Sequence, residues 1–160
     1  MGVAALRFGE DGLRVVRAAR FCAQLALTPV PGLVDDMRGA GATLARVAPE
    51  RILDELRKLM SKSPQPSRAL VLLRDAGVLA QIAPGAPADQ ASLLRADTVA
   101  THDITVRLAA WLWAVGGTRA AAVMHGLKAS RALERDVAEL AALPHAREAL
   151  TLSAADLRAV

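Results

Sequence analysis

The chain has 160 residues, of which 20 are Lys or Arg and 16 are Asp or Glu, so its formal net charge is +4. This length can bury a core without disulfides, and a single cysteine, Cys22, excludes an internal disulfide. Neither a run of about 20 apolar residues nor a secretory signal is present, which predicts a cytoplasmic protein with no membrane partner.

The positive charge is concentrated in the first half of the chain. Residues 1–76 contain 12 Lys and Arg against 8 Asp and Glu, whereas residues 77–160 contain 8 of each. A polyanion is therefore expected to bind the first half. Two Phe, two Trp and no Tyr offer little surface for base stacking, so a nucleic acid would be held by its phosphates.

Apolar residues recur every three or four positions along the chain, which predicts an all-α protein of about eight to ten short helices without a sheet. The first helix is expected from about Glu10 to Leu27, with acids in its first turn and "TPVPG" ending it. A second is expected over about 33–45. In "VAPERILDELRKLM" (47–60), Pro49 is a suitable first helical residue and Glu50 lies in the first turn.

The polar segment "SKSPQPS" (61–67) is the strongest linker signal, because proline interrupts it twice. It predicts a helical neck at residues 1–62 and a helical body at 63–160. In the body, "VLAQIAPG" is expected to form a short apolar turn. Further helices are predicted at 67–77, 103–115, 118–127 and 130–143, with a last short one near Ala154.

The segment "RFGEDGLRVVRAARF" (7–21) carries much charge for one short helix. Asp11 and Arg14 lie one turn apart and Glu10 lies four residues before Arg14, so one helical face is expected to carry all three. Weak surface ion pairs would account for this spacing. Alternatively, the carboxylate accepts and the guanidinium donates hydrogen bonds. Side by side they would complement the amino-bearing edge of cytosine and adenine, whereas uracil and guanine would leave groups unpaired.

The longer segment "RFGEDGLRVVRAARFCAQLAL" resembles the neck of the bacterial-type tRNA nucleotidyltransferases, the CCA-adding enzymes and their poly(A) polymerase relatives. "VAPERILDELRKLM" resembles the next neck motif of this family, built around Glu-Arg-Ile, here Glu50, Arg51 and Ile52. "ALVLLRDAGVLAQIAPG", "ITVRLAAWLWAVG" and "AAAVMHGLKASRALERDVAEL" resemble the segments that follow. This ordered succession covers residues 7–158 and favours a recognition surface over isolated ion pairs.

The resemblance implies that Asp11 and Arg14 read the bases of incoming CTP and ATP, that Glu10 positions them, and that Arg17 contacts the nucleotide. Further cations in the neck are expected to contact RNA: Arg20, Arg51, Arg57, Lys58 and Lys62. Gly12 stands where the family most often has proline, which is expected to loosen the start of the helix. Ala48 stands where a Ser or Thr cap is common, which is expected to weaken its helix by about 1 kcal/mol.

Nucleotidyl transfer requires a divalent metal held by carboxylates, which in this family lie on a strand of an N-terminal head domain. The chain has no Asp-x-Asp motif and no β-rich segment. We therefore expect no catalytic residue, metal site or cofactor in this chain, with Mg²⁺, CTP and ATP implied for the complete enzyme. The family's tail would continue after Val160, so a truncated product, a relic or half of a split enzyme is expected.

Other patterns are expected to be structural. "GGTR" (116–119) is interpreted as a turn, and His102 and Asp103 in "THDI" as a helix cap rather than a metal site. Trp111 and Trp113 should point to different sides of a helix, with at least one in the core. Two histidines are interpreted as ordinary surface or lightly packed residues, His125 and His145.

These features predict the neck and body of a tRNA nucleotidyltransferase, which would select CTP and ATP and bind tRNA for 3′-terminal CCA addition, and would be inactive without a head. Two alternatives stay open. One is a non-catalytic helical RNA-binding module or a poly(A) polymerase relative, and the other is a protein-interaction module. The expected partners are tRNA, CTP or ATP, and either a separate head domain or a second copy of the chain.

Overall fold

The computed structural model of the protein describes residues 4–144, and these residues form helices and no strand. The all-α prediction is confirmed for this part of the chain. The helix predicted near Ala154 and the interpretation of His145 fall outside the described residues.

The helices are short, and a 3-10 turn at Trp113–Val115 joins the ninth to the tenth. Their bounds in chain order are α1 Ala4–Glu10, α2 Leu13–Gln24, α3 Leu33–Arg38, α4 Gly41–Leu44, α5 Pro49–Lys62, α6 Ser67–Asp75, α7 Leu79–Ile82, α8 Gln90–Thr98, α9 Ile104–Leu112, α10 Gly116–Gly126 and α11 Arg131–Ala141.

The helix predicted from Glu10 to Leu27 is α2, Leu13–Gln24, which starts later and ends earlier than predicted. Glu10 is the last residue of α1, and α2 has no acid in its first turn. The chain turns at Asp11, whose side chain accepts a hydrogen bond of 3.0 Å from the backbone N–H of Leu13. Asp11 therefore satisfies one of the unpaired N–H groups at the start of α2 from just outside the helix.

Gly12 lies in the turn between α1 and α2, where it touches the backbone of α4. A Cβ atom at this position would lie 2.3 Å from the Leu44 nitrogen and 2.6 Å from the Thr43 carbonyl carbon. Such distances are far below van der Waals contact, so only glycine fits without moving α4. The absent side chain thus allows close packing, whereas the sequence suggested only a looser turn.

Two further boundaries differ from the predictions. The second predicted helix is interrupted between α3 and α4 at Gly39 and Ala40. No helix was predicted at residues 90–98, where α8 lies; Asp89 caps its start by accepting a hydrogen bond of 2.9 Å from the backbone N–H of Ser92. An acid at this position is a common helix cap, so a signal for α8 was present.

Other local predictions are confirmed. Pro49 is the first residue of α5 and Glu50 lies in its first turn. Ala48 precedes them in an extended conformation and makes no side-chain cap. Asp103 caps α9 by accepting a hydrogen bond of 3.1 Å from the Val106 N–H. Trp111 is fully buried, as expected for at least one of the two tryptophans.

The buried apolar side chains form one main cluster that extends from Phe8 in α1 to Ala141 in α11. The segment 61–67 lies against this core and not away from it. Buried Arg107 donates hydrogen bonds of 2.7 Å to the carbonyls of Met60 and Ser63, and Asp97 accepts one of 2.9 Å from the Ser67 N–H. Helix α2 packs against both α5 and α6, and the division at residues 62 and 63 stays a prediction.

Candidate nucleic-acid interface

Helices α2 and α5 lie side by side and run in the same direction. An ion pair of 3.5 Å joins Asp11, just before α2, to Arg51 in the first turn of α5. Further along both helices, Arg17 pairs with Glu55 at 3.2 Å. These two contacts set the register and bring the charged edges of both helices together.

Glu55 is the centre of this contact, because its side chain is only 2% exposed and receives three cations. Arg20 donates from Nε to one carboxylate oxygen at 2.8 Å. Arg17 donates from Nε to the other oxygen at 3.2 Å, and the Lys58 ammonium donates to that same oxygen at 3.1 Å. A buried carboxylate needs such partners to remain ionised.

The environment of Glu55 acts on its pKa in two directions. Burial raises the pKa, but hydrogen bonds from Lys58, Arg20 and Arg17 outweigh burial and hold the pKa below its ordinary value. The carboxylate is therefore negatively charged at neutral pH and holds the three cations in place.

The three cations differ in how much of each reaches solvent. Arg20 has a side chain only 10% exposed, donates a second hydrogen bond of 2.7 Å to Gln24, and lies 4.0 Å over the ring of Phe21. The RNA contact expected of Arg20 thus has no support in this geometry. The side chains of Arg17 and Lys58 are 48% and 44% exposed, so both present charge to solvent.

Asp11 and Arg14 are both on the surface, with side chains 32% and 39% exposed, but each pairs with a different partner. Arg14 is paired with Glu10 and also donates to the Arg7 carbonyl at 3.2 Å. Asp11 is held by Leu13 and Arg51. The sequence placed Asp11 and Arg14 on one helical face, whereas the structure places Asp11 in the turn before that helix.

A stripe of cations continues along α5. At 3.6 residues per turn, Arg51, Lys58 and Lys62 project within about 40° of one another, on the edge that carries Glu55. Arg57 is also exposed, but it projects about 120° away from Arg51. We define the seam surface by the exposed and partly exposed cations along the contact between α2 and α5: Arg14, Arg17, Arg51, Lys58 and Lys62.

The seam surface is electropositive even after its ion pairs are considered. Together with Arg20 it contributes six cations, and the carboxylates within it are Glu10, Asp11 and Glu55. Asp54 is exposed and projects about 40° from Lys58 on the same helix, so the cations of this region exceed the acids by two. Such a surface attracts a polyanion whose phosphates follow the two helices.

The sequence analysis missed Glu55, which organises the seam surface. A signal was present, because Glu55 occurs within the run of apolar positions of α5 that also contains Ile52, Leu56 and Leu59. A carboxylate at such a position needs a buried cationic partner. The sequence did not show which of the arginines in α2 would supply it.

The described residues provide neither a cluster of metal ligands nor a membrane-spanning helix. Among residues 4–144, no three His, Cys, Asp or Glu side chains lie close enough together to hold a metal ion. The Mg²⁺ that the resemblance implies for the complete enzyme has no set of ligands among these residues. None of the described helices has the length and apolar character needed to cross a bilayer.

Comparison with known families supports a relationship over part of the chain. Residues 31–89 match the family described as the probable RNA and SrmB-binding site of polymerase A. This match includes α5 with Arg51, Glu55, Lys58 and Lys62, and it leaves α2 outside. No solved structure matches the chain.

Three similar proteins are named as CCA or CC-adding proteins. The multifunctional CCA protein of Stenotrophomonas maltophilia is 46% identical over 82 residues, which are 48% of this chain and 20% of that protein. The CC-adding tRNA nucleotidyltransferase of Halalkalibacterium halodurans is 37% identical over 89 residues, 56% of this chain and 23% of that protein. The CCA-adding enzyme of Limosilactobacillus fermentum is 42% identical over 73 residues, 45% and 18% of the two chains.

The aligned part covers 18–23% of the length of these three relatives. The identities of 37–46% nevertheless relate the aligned part of the chain to these proteins. The matched part of the chain is related to the tRNA nucleotidyltransferase and poly(A) polymerase family, as the sequence resemblance predicted.

Proposed function

We propose that this chain, which over residues 31–89 matches the probable RNA-binding site of polymerase A, binds tRNA through the seam surface. One observation carries the proposal: five cations that are exposed or partly exposed lie along the contact between α2 and α5, around a buried carboxylate that fixes two of them. The phosphates of a folded RNA are the ligand that such a surface fits.

Ligand binding and nucleotidyl transfer are assigned to different parts of the enzyme. Residues 4–144 offer no set of ligands for the metal that nucleotidyl transfer requires. The described residues are therefore assigned the binding of tRNA and the choice of nucleotide, and the transfer step is assigned to a head domain. That domain would belong either to the same protein or to a separate chain.

Within this function, Asp11 and Arg14 form the base-selecting pair for CTP and ATP. Both side chains reach solvent, one presents an acceptor and the other donors, and Glu10 fixes Arg14 from the end of α1. Asp11 is fixed by the Leu13 N–H on one oxygen and by Arg51 on the other. A pair held in this way can reject uracil and guanine without rearranging.

Two binding measurements test the proposal. The affinity of tRNA is expected to fall steeply with salt, since each neutralised phosphate contributes a slope of about −0.7 to −0.9 in log K against log salt. CTP and ATP are expected to bind more tightly than UTP and GTP, with this preference lost in both Asp11→Ala and Arg14→Ala. A salt-independent tRNA affinity would refute the RNA-binding role, and equal binding of the four nucleotides would refute base selection.

A second candidate function is protein association, which the exposed apolar residues after and within α2 favour. Phe21, Leu25, Leu27 and Val30 are 44%, 57%, 49% and 67% exposed. An apolar group of this kind is a common interaction surface. Sedimentation at several protein concentrations tests it, since a second copy would show as a concentration-dependent increase in mass, and a constant monomer mass would exclude self-association.

A further inference from the structure

Glu55 joins two half-exposed cations from different helices at a single oxygen atom. The Nε of Arg17 and the Nζ of Lys58 lie 3.2 Å and 3.1 Å from the same carboxylate oxygen. The two nitrogens are consequently no more than about 6 Å apart. A cation pair at this distance would repel without the carboxylate between them, so the buried charge of Glu55 fixes an arrangement that the two side chains would not adopt alone.

Both cations keep hydrogen-bond donors for a ligand. Arg17 reaches Glu55 through Nε, and within residues 4–144 its two Nη groups have no other partner. Lys58 uses one of its three N–H groups for Glu55. The side chains of Arg17 and Lys58 are each about half exposed whereas Glu55 is 2% exposed, so solvent reaches the two cations and not the carboxylate.

We propose that Arg17 and Lys58 form a preorganised clamp for a single phosphate group of the RNA backbone, held open by Glu55. This inference rests on the proposed function and adds the class of ligand that this part of the seam surface binds. A phosphate oxygen pair can accept from the Arg17 Nη groups and from Lys58 at the same time. Because Glu55 restricts both side chains in advance, less side-chain entropy is lost when the phosphate binds.

The charge of the cluster favours a backbone phosphate over the triphosphate of a nucleotide. Arg17, Arg20 and Lys58 against Glu55 leave an excess of two positive charges, which suits the single charge of a phosphodiester better than a triphosphate. The stripe also continues along α5 from Lys58 to Lys62 and back to Arg51. Arg51 and Lys62 are 11 residue steps apart, which is about 16 Å along the helix and enough for further phosphates of the same strand.

The decisive test is the salt dependence of tRNA binding by the variant Arg17→Gln/Lys58→Gln. Glutamine keeps an N–H donor for Glu55 and removes the charge. The double variant is expected to bind tRNA about tenfold more weakly. Its slope of log K against log salt is expected to be shallower by about 0.7 to 0.9, the contribution of one phosphate. A slope that changes by the contribution of two phosphates would mean that Arg17 and Lys58 bind separate phosphates and would overturn the shared clamp, as would an unchanged slope.

The matched control is Arg119→Ala/Arg131→Ala, which removes two exposed cations from α10 and α11. It is expected to change tRNA affinity by less than twofold, whereas an equal loss in both double variants would show only a general charge effect and overturn the clamp. Although the resemblance implied a nucleotide contact for Arg17, the clamp predicts that Arg17→Gln/Lys58→Gln weakens CTP binding less than tRNA binding. A loss of CTP binding with tRNA binding retained would overturn the assignment to the RNA backbone.

A measurement on the wild-type protein avoids any dependence on the folding of the variants. A lysine-acetylating reagent is applied with and without tRNA, and each modified lysine is quantified by mass spectrometry. Lys58 is expected to be protected by tRNA and Lys128 to react equally in both samples. Equal reactivity of Lys58 would overturn the inference, whereas wild-type protein without salt-dependent tRNA binding would instead refute the proposed function.

Discussion

The Nη2 atom of Arg51 lies 3.5 Å from a carboxylate oxygen of Asp11, which joins the turn before α2 to the first turn of α5. The Glu-Arg-Ile segment of α5 therefore contacts the acid that we propose as a base reader. The two segments that resemble family motifs are separated in the sequence but in contact in the structure, where Arg51 of α5 holds Asp11 before α2.

Replacing Arg51 by alanine tests whether this contact serves binding more than stability. The ion pair is partly exposed, so Arg51→Ala is expected to change the free energy of unfolding by less than about 1 kcal/mol. It should weaken tRNA binding and reduce the salt slope by one phosphate, about 0.7 to 0.9. Urea unfolding and tRNA binding at several salt concentrations measure the two effects.

Arg57→Ala is the matched control, because Arg57 is exposed on the same helix but projects about 120° away from Arg51. We expect it to reduce the tRNA salt slope less than Arg51→Ala does. Equal losses in both variants would contradict the seam surface as the place of contact.

Glu55→Gln is expected to destabilise the fold by about 3 kcal/mol, because it leaves three cations around a buried group that no longer carries charge. Asp54→Asn removes the same charge from an exposed neighbouring position and should change the free energy of unfolding by less than about 0.5 kcal/mol. Chemical unfolding of both variants measures the difference. Similar small effects would show that the cluster does not stabilise the contact between α2 and α5.

The same cluster predicts how stability depends on pH. The folded pKa of Glu55 lies below its ordinary value near 4.5, so its ionised form stabilises the native state above that pH. This contribution is lost as the pH falls through the lowered folded pKa. The difference in unfolding free energy between wild type and Glu55→Gln should be largest at neutral pH and decrease in acid, and a difference that increases on acidification would be inconsistent with the cluster.

Gly12→Ala is expected to destabilise the protein by about 3 kcal/mol, because the added Cβ would meet the backbone of Thr43 and Leu44 at 2.3–2.6 Å. Gly9→Ala is the control, since a Cβ at Gly9 meets no atom within 4 Å and lies inside α1. That variant should be neutral or stabilise by up to about 1 kcal/mol. Thermal unfolding compares them, and equal melting temperatures would argue against the close contact with α4.

Ala48→Ser is expected to stabilise the protein by about 1 kcal/mol. Ala48 already has the extended conformation of a cap residue, with φ of −60° and ψ of 133°, but its side chain offers no acceptor to the first N–H groups of α5. Ala48→Val adds bulk without an acceptor and should give no such gain. Urea unfolding of both variants decides whether the hydroxyl is responsible, and an equal gain from valine would exclude capping as the cause.

The sequence predicted many of the residues in the candidate site but not which of them contact one another. The sequence identified Glu10, Asp11, Arg14 and Arg17, and the structure places all four at the surface of the α1–α2 region. It could not show that Arg20 turns inwards to a carboxylate 35 positions away, because helical spacing defines faces and not the neighbouring helix. Whether these residues read bases or hold phosphates stays a prediction.

The sequence by itself determined the all-α class, the start of α5 at Pro49 and the capping of α9 by Asp103, because periodicity and caps act over a few residues. Only the tertiary structure decided that Gly12 must lack a side chain and that Glu55 joins Arg17 to Lys58. Arg17 and Glu55 are 38 positions apart, and only the packing of α2 on α5 brings a buried carboxylate close enough to select its partners.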